Sequence, residues 1–130
     1  MTPPVRLRRS LLFVPAVRPD RYFKALATGT DAICLDLEDG VAPGAKDEAR
    51  AAALAVLANR VPTRAEVSLR INDPKTNLGQ RDLDALLSAA VRPDALMLPK
   101  VSGADDVRAV EATIGARGLD LPLIVQIETA

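Results

Sequence analysis

Apolar residues along the chain gather in five short runs, at positions 11–15, 32–37, 67–71, 95–98 and 123–127, each the length of a β-strand. Between them lie segments of helical composition, at 20–27, 46–58, 81–90 and 105–116. The second of these is dense in alanine and leucine, strong helix formers. It opens on Lys46-Asp47-Glu48, which sets acids in the first turn, where the helix dipole favours them. Strands separated by connections this long pair in parallel through right-handed crossovers, because antiparallel neighbours need only short turns. The pattern therefore predicts an α/β fold. Proline-bearing breaks at Arg18-Pro19-Asp20, Ala42-Pro43-Gly44, Asn72-Asp73-Pro74 and Arg92-Pro93-Asp94 fall at the predicted boundaries. No linker or low-complexity tract divides the chain.

Alternation within the strands separates the two parallel α/β architectures. Ile33, Leu35 and Leu37 share one strand face, opposite Cys34, Asp36 and Glu38. Val67, Leu69 and Ile71 likewise oppose Ser68, Arg70 and Asn72, and Leu123, Val125 and Ile127 oppose Ile124, Gln126 and Glu128. An open sheet covered by helices on both faces has strands that are apolar on both sides, so a recurring polar face is unexpected there. A barrel interior accommodates it, and polarity rises toward the carboxyl ends of the strands, where barrel active sites are assembled. The expectation is the amino-terminal half of a TIM (β/α)8 barrel: four βα units and a fifth parallel strand, with residues 1–130 forming one partial domain of a longer barrel. A half-barrel leaves strand edges unpaired, which is the physical reason for expecting a truncated reading frame.

Composition narrows the partners. With 130 residues and 48% hydrophobic content the chain has apolar side chains enough for one core, and 17 basic and 17 acidic residues cancel. No net field favours nucleic acid or an anionic membrane, and no apolar stretch approaches the roughly 18 to 20 residues that span a bilayer. Residues 1–9 lack the apolar core of a secretory signal, and an organelle-targeting role for Arg6, Arg8 and Arg9 is weakened by a strand that begins at once. A single cysteine, Cys34, makes no internal disulfide and fits a reducing, cytoplasmic setting. Histidine is absent, so any metal would be held by oxygen.

The candidate chemistry sits at the strand ends. Asp36 and Glu38 share a face and Asp39 follows in the loop; carboxylates gathered this closely need a cation, an arginine or a shared proton. Arg70 points into the same interior from the next strand, and its planar fork suits a carboxylate or carbonyl oxygen. Asn72 either supplies an amide to the same oxygens or caps the turn before Pro74. Glu128 ends the fifth strand at that level, and a hard oxygen ligand there suits Mg²⁺, which could bind a 2-oxo acid and stabilise an enolate. Lys100, after Pro99, shares parity with Leu96 and Leu98, and is read equally as a snorkelling structural lysine or an anion ligand.

Taken in order, several motifs resemble the citrate lyase β-subunit family, which includes malyl-CoA and citramalyl-CoA lyases. They are Arg9-Ser10-Leu11-Leu12-Phe13-Val14-Pro15, Asp36-Leu37-Glu38-Asp39 with Val41-Ala42-Pro43, Lys46 and Arg50, then Arg70-Ile71-Asn72, Leu98-Pro99-Lys100 and Ile127-Glu128-Thr129. Ala16 stands where such sequences commonly have glycine. The resemblance implies a Mg²⁺-dependent lyase that cleaves or forms the bond between an acyl-CoA and a small 2-oxo acid. It implies Glu128 as metal ligand, Arg70 as the arginine on the substrate oxygens, Glu38 and Asp39 as the acidic pair near the metal and its waters, and Arg9 near the CoA phosphates. It also implies a second metal-ligand aspartate and a lid beyond residue 130, and a trimeric or hexameric assembly. Two further readings share the same residues: a non-catalytic half-barrel completed by a partner, and a metal-dependent oxo-acid aldolase that needs no CoA.

Overall fold

The computed structural model of the chain describes residues 5–128, so Thr129 of the last motif lies outside the described residues, as do residues 1–4. Strand β1 (Leu11–Pro15) leads to helix α1 (Pro19–Ala27), and β2 (Ala32–Asp36) through a 3-10 turn (Pro43–Ala45) to α2 (Lys46–Ala58). Then follow β3 (Glu66–Arg70), α3 (Asn77–Ser88), β4 (Ala95–Leu98), α4 (Ala104–Ala116) and β5 (Leu123–Val125). The five strands pair in parallel in the order β1-β2-β3-β4-β5.

That order decides the architecture. A doubly wound sheet reverses direction at a switch point, whereas strands added always on the same side put every right-handed crossover helix on one face. Val14, Ile33, Leu35, Leu37, Val67, Leu69, Ile71, Leu96 and Leu98 form one core with Tyr22 and Ala25 of α1, Ala49, Ala53 and Leu57 of α2, Leu83 and Leu86 of α3, and Val110 and Ile114 of α4. The fold is thus a run of five strands of a (β/α)8 barrel, with helices outside and the expected polar face inside. Along the inner rows the register sets Phe13 beside Cys34 and Cys34 beside Ser68, then Pro15 beside Asp36, Asp36 beside Arg70 and Arg70 beside Met97. Burial pushes the Cys34 thiol up to about 12, so it is a protonated packing group.

Element boundaries depart from the pattern where side chains take over. Helix α3 begins at Asn77, ahead of the expected residue 81, because the Thr76 hydroxyl accepts from the Gly79 amide at 3.1 Å and caps the first turn. It ends at Ser88, with Ala90 turning into the left-handed region at φ 55°. Strand β5 ends at Val125, yet the Gln126 amide still donates to the Leu98 carbonyl at 2.9 Å, so the chain stays beside β4 as far as the site.

Candidate active site

At the carboxyl end of β2, Asp36 organises the acidic turn. Its carboxylate accepts from the amides of Glu38 and Gly40, both at 2.8 Å, and from Arg70 Nε at 2.8 Å and Nη2 at 2.7 Å. Burial pushes the Asp36 carboxyl up, but Arg70 and the two amides outweigh it and hold the group below the ordinary carboxylate range. Gly40 is required at this turn: a Cβ there would lie 2.6 Å from Asp36 Oδ2. Lys46 secures the other side, its ammonium donating to the carbonyls of Leu37 at 2.9 Å and Glu38 at 2.6 Å. Sequence alone makes Lys46 part of a motif; the fold makes it the clamp on the strand end.

This turn throws Glu38 and Asp39 toward the end of β5. One carboxylate oxygen from each of Glu38, Asp39 and Glu128 lies within 4.8 Å of the others, with Glu38 buried and the other two exposed. Glu38 Oε1 is buried with no hydrogen-bond partner among the described residues. The Lys100 ammonium meets the group, donating to Glu38 Oε2 and standing 3.6 Å from Asp39 Oδ1, while the Lys100 amide donates to Glu128 Oε2 at 3.0 Å. The hydrogen bond to Glu38 keeps the Lys100 ammonium charged to higher pH than usual. Parity had set Lys100 with the outward-facing Leu96 and Leu98. The strand ends at Leu98, and a left-handed backbone at Lys100 (φ 55°) turns the side chain to the mouth. Pro99 is the sole local signal that strand alternation stops there.

Arg70 lies beside this group. Its Nε and Nη2 are committed to Asp36, and Nη1 faces Gln126 Oε1 at 3.2 Å and Glu38 Oε1 at 3.5 Å. Its Cζ stacks 4.6 Å from the centroid of the Phe13 ring. The guanidinium is therefore pinned along one edge, and its loosely held nitrogen points to the carboxylates. Phe13 and Gln126 are site residues that sequence reasoning missed: alternation sets Gln126 on the face of Glu128 without saying that it touches Arg70, and Phe13 of β1 had no face assigned.

Two expected site residues stand elsewhere. The Asn72 amide and side-chain Nδ2 both donate to Asp82 Oδ2, at 2.8 and 2.7 Å, and Asp82 also accepts from Arg50 Nε at 2.8 Å. Asn72 thus ties the end of β3 to α3, a role that neither of its two readings gave it. Arg9 precedes β1 and so lies at the amino end of the sheet, where its Nε and Nη2 pair with Asp31 at 2.9 Å each. A whole strand separates it from the carboxylates at the opposite end.

Three carboxylates, one of which has a buried oxygen with no hydrogen-bond partner among the described residues, form a hard-oxygen donor set, the kind that takes Mg²⁺ with part of its water shell. Residues 9–130 match the HpcH/HpaI aldolase/citrate lyase family. The chain belongs to that family. Among curated proteins it is 40% identical to the L-malyl-CoA/beta-methylmalyl-CoA lyase of Cereibacter sphaeroides, covering 96% of this chain and 41% of that one. It is 36% identical to the mitochondrial citramalyl-CoA lyase of Mus musculus, covering 95% and 38%. The chain thus spans about two fifths of the length of these relatives. Among solved structures, CitE of Mycobacterium tuberculosis in complex with magnesium, acetoacetate and coenzyme A superposes with a TM-score of 0.73 at 36% identity, over 95% of this chain and 42% of that chain. The citrate lyase beta subunit from M. tuberculosis, complexed with oxaloacetate and magnesium, gives 0.71 at 36%, over 92% and 47%. Family membership and fold therefore agree with the strand-order argument. Among the described residues no helix is long and apolar enough to cross a membrane.

Proposed function

We propose that the protein is a Mg²⁺-dependent carbon–carbon lyase acting on a 3-hydroxyacyl-CoA such as citryl-, malyl- or citramalyl-CoA, releasing an acyl-CoA and a 2-oxo acid. The observation that carries the reading is the meeting, at one strand-end mouth, of the loosely held Arg70 Nη1 with the oxygens of Glu38, Asp39 and Glu128. Glu128 would ligate the ion, with Glu38 and Asp39 facing it and its waters. Bound there, Mg²⁺ supplies positive charge to the oxygens of the hydroxy- or oxo-acid as the bond breaks. Arg70 binds the carboxylate of that acid, and its Asp36 and Phe13 contacts fix the guanidinium before substrate arrives, so little orientation remains to be lost on binding. Burial of Glu38 and Asp36 limits water at this edge and strengthens the field of the charges that remain. Asn72 and Arg9 have no part in the proposal, since Asp82 and Asp31 already engage them.

Release of acyl-CoA from malyl- and citramalyl-CoA should stop on chelation and return with Mg²⁺. Equal cleavage of the free hydroxy-acids would point instead to a CoA-independent aldolase. Glu128→Ala should weaken Mg²⁺ binding by about tenfold or more in calorimetric titration; unchanged affinity would remove Glu128 from the metal site. A trimer or hexamer and a cytoplasmic setting belong to the same proposal. The first rests on the family and the second on the single buried thiol of Cys34. Light scattering of the purified protein reads the assembly directly.

A further inference from the structure

The carboxylates at the mouth already hold a cation of the chain's own. Lys100 touches all three candidate ligands: its ammonium reaches Glu38 and Asp39, and its amide donates to Glu128. An uncommon backbone sets it there. A left-handed conformation in a residue with a Cβ persists only where the surroundings over-determine it, and Lys75 Nζ does so by donating to the Lys100 carbonyl at 2.8 Å. Asp106 completes the brace, accepting from Lys75 Nζ at 3.0 Å and from the Ser102 amide and hydroxyl at 2.9 and 3.0 Å. The second oxygen of Glu38, in a side chain 6% exposed, has no hydrogen-bond partner among the described residues, so the site has acceptor capacity that the ammonium does not use.

A divalent cation at this cluster and an ammonium on Glu38 Oε2 call on the same oxygens, and two positive charges a few ångströms apart repel. We propose that Lys100 is the resident counter-cation of the metal site, displaced from Glu38 when Mg²⁺ binds, so that ammonium and metal compete for the same carboxylates. This rests on the reading of Glu38, Asp39 and Glu128 as the metal site. The Lys100 side chain is 43% exposed, which leaves the ammonium a solvent path outward while its braced backbone, and the amide on Glu128, stay in place. The lysine thereby keeps the carboxylates together when the metal is absent and lowers metal affinity at the same time.

The inference predicts a gain on removing a site residue, the reverse of what a metal-assisting or merely structural lysine would give. In calorimetric titration of the full chain with Mg²⁺, Lys100→Met should bind about tenfold more tightly, the scale on which groups next to a metal ligand change affinity. Lys100→Arg, which retains the charge, should stay near wild type. On the unaltered protein, mass-spectrometric acetylation footprinting should show Lys100 labelled faster when Mg²⁺ is added, with Lys24 and Lys46 unchanged. This measurement decides the matter if Lys100→Met does not fold. Unchanged or weaker Mg²⁺ binding by a folded Lys100→Met, or labelling that is unchanged or slowed, overturns the competition. If Mg²⁺ binding is at the same time lost in Glu128→Ala, the metal site stands and only the role of Lys100 falls. No Mg²⁺ binding by the wild-type chain would overturn both.

Discussion

Asp36 accepts four hydrogen bonds, two from backbone amides of its own turn and two from Arg70, and so couples the acidic loop of β2 to the guanidinium of β3. Removing one partner of such a pair leaves a buried charge uncompensated, at about 3–5 kcal/mol. Arg70→Met should sit near the lower end, about 3 kcal/mol, because the two amides still serve Asp36; urea unfolding at neutral pH measures it. A loss below about 1 kcal/mol would mean that the pair is solvated and that Asp36 does not hold the arginine. At this scale the inward facing of Asp36 and Arg70 was legible from strand parity, since alternation binds every residue inside a strand, while Glu38, two residues past the end of β2, is brought to the mouth by the turn that Asp36 organises. Lys100 was not, because parity ends with the strand and φ at a residue such as lysine is set by what braces it: the carbonyl contact from Lys75, distant in sequence.

Two helix glycines show how the elements pack. In α3, a Cβ on Gly79 would fall 2.1 Å from the Asp73 carbonyl oxygen, so the helix start lies directly on the loop that carries Asn72 and Asp73. In α4, a Cβ on Gly115 meets nothing within 4 Å. Alanine is favoured over glycine in a helix by up to about 1 kcal/mol, whereas forcing atoms into filled space costs about 1–3 kcal/mol. Overlap with backbone, which moves less readily than a side-chain tip, outweighs propensity at Gly79. Gly79→Ala should therefore lower the melting temperature and Gly115→Ala should raise it slightly, through a stability gain of roughly 0.5 kcal/mol near a helix end. Equal responses would show that the α3 contact yields. Helix α2 matched its composition from end to end, because acids in its first turn and alanine-rich propensity act within the element. The early start of α3 depended on a threonine cap and on a glycine that accepts the loop against it.

For the molecule as a whole, ion pairs gather at both ends of the barrel wall. At the amino end Arg8 pairs with Glu66 through two bonds of 2.7 Å, Arg60 with Asp94, and Arg9 with Asp31. At the carboxyl end stand Asp36 with Arg70 and Asp106 with Lys75. A hydrogen bond from the Arg9 side chain holds the Asp31 carboxyl at about 2, and one from the Ser102 amide holds Asp106 at about 2. Asp94 is pushed up by burial but brought below the ordinary range by Arg60 and the Val67 amide, as Asp36 is by Arg70. Folded-state values below the unfolded one, about 3.9, mean that these groups stabilise the fold fully above pH about 4 and lose that contribution as pH falls toward 2. Thermal melts should be nearly flat from pH 7 to 5 and drop steeply between 4 and 2. A main loss above pH 5 would require some other group.

The α/β class, the parallel crossovers and the inward polar face were already determined by the sequence, since each follows from local periodicity and from connection lengths. Strand order itself was seen only in three dimensions, where the sequential order β1-β2-β3-β4-β5 bears out the barrel that the recurring polar face already favoured over a doubly wound sheet. Tertiary structure alone also separated Arg9 from Arg70 by the length of a strand, committed Asn72 to Asp82, and brought Lys100 onto Glu38. Those contacts join residues far apart in the chain, and their partners are set by packing rather than by any local pattern.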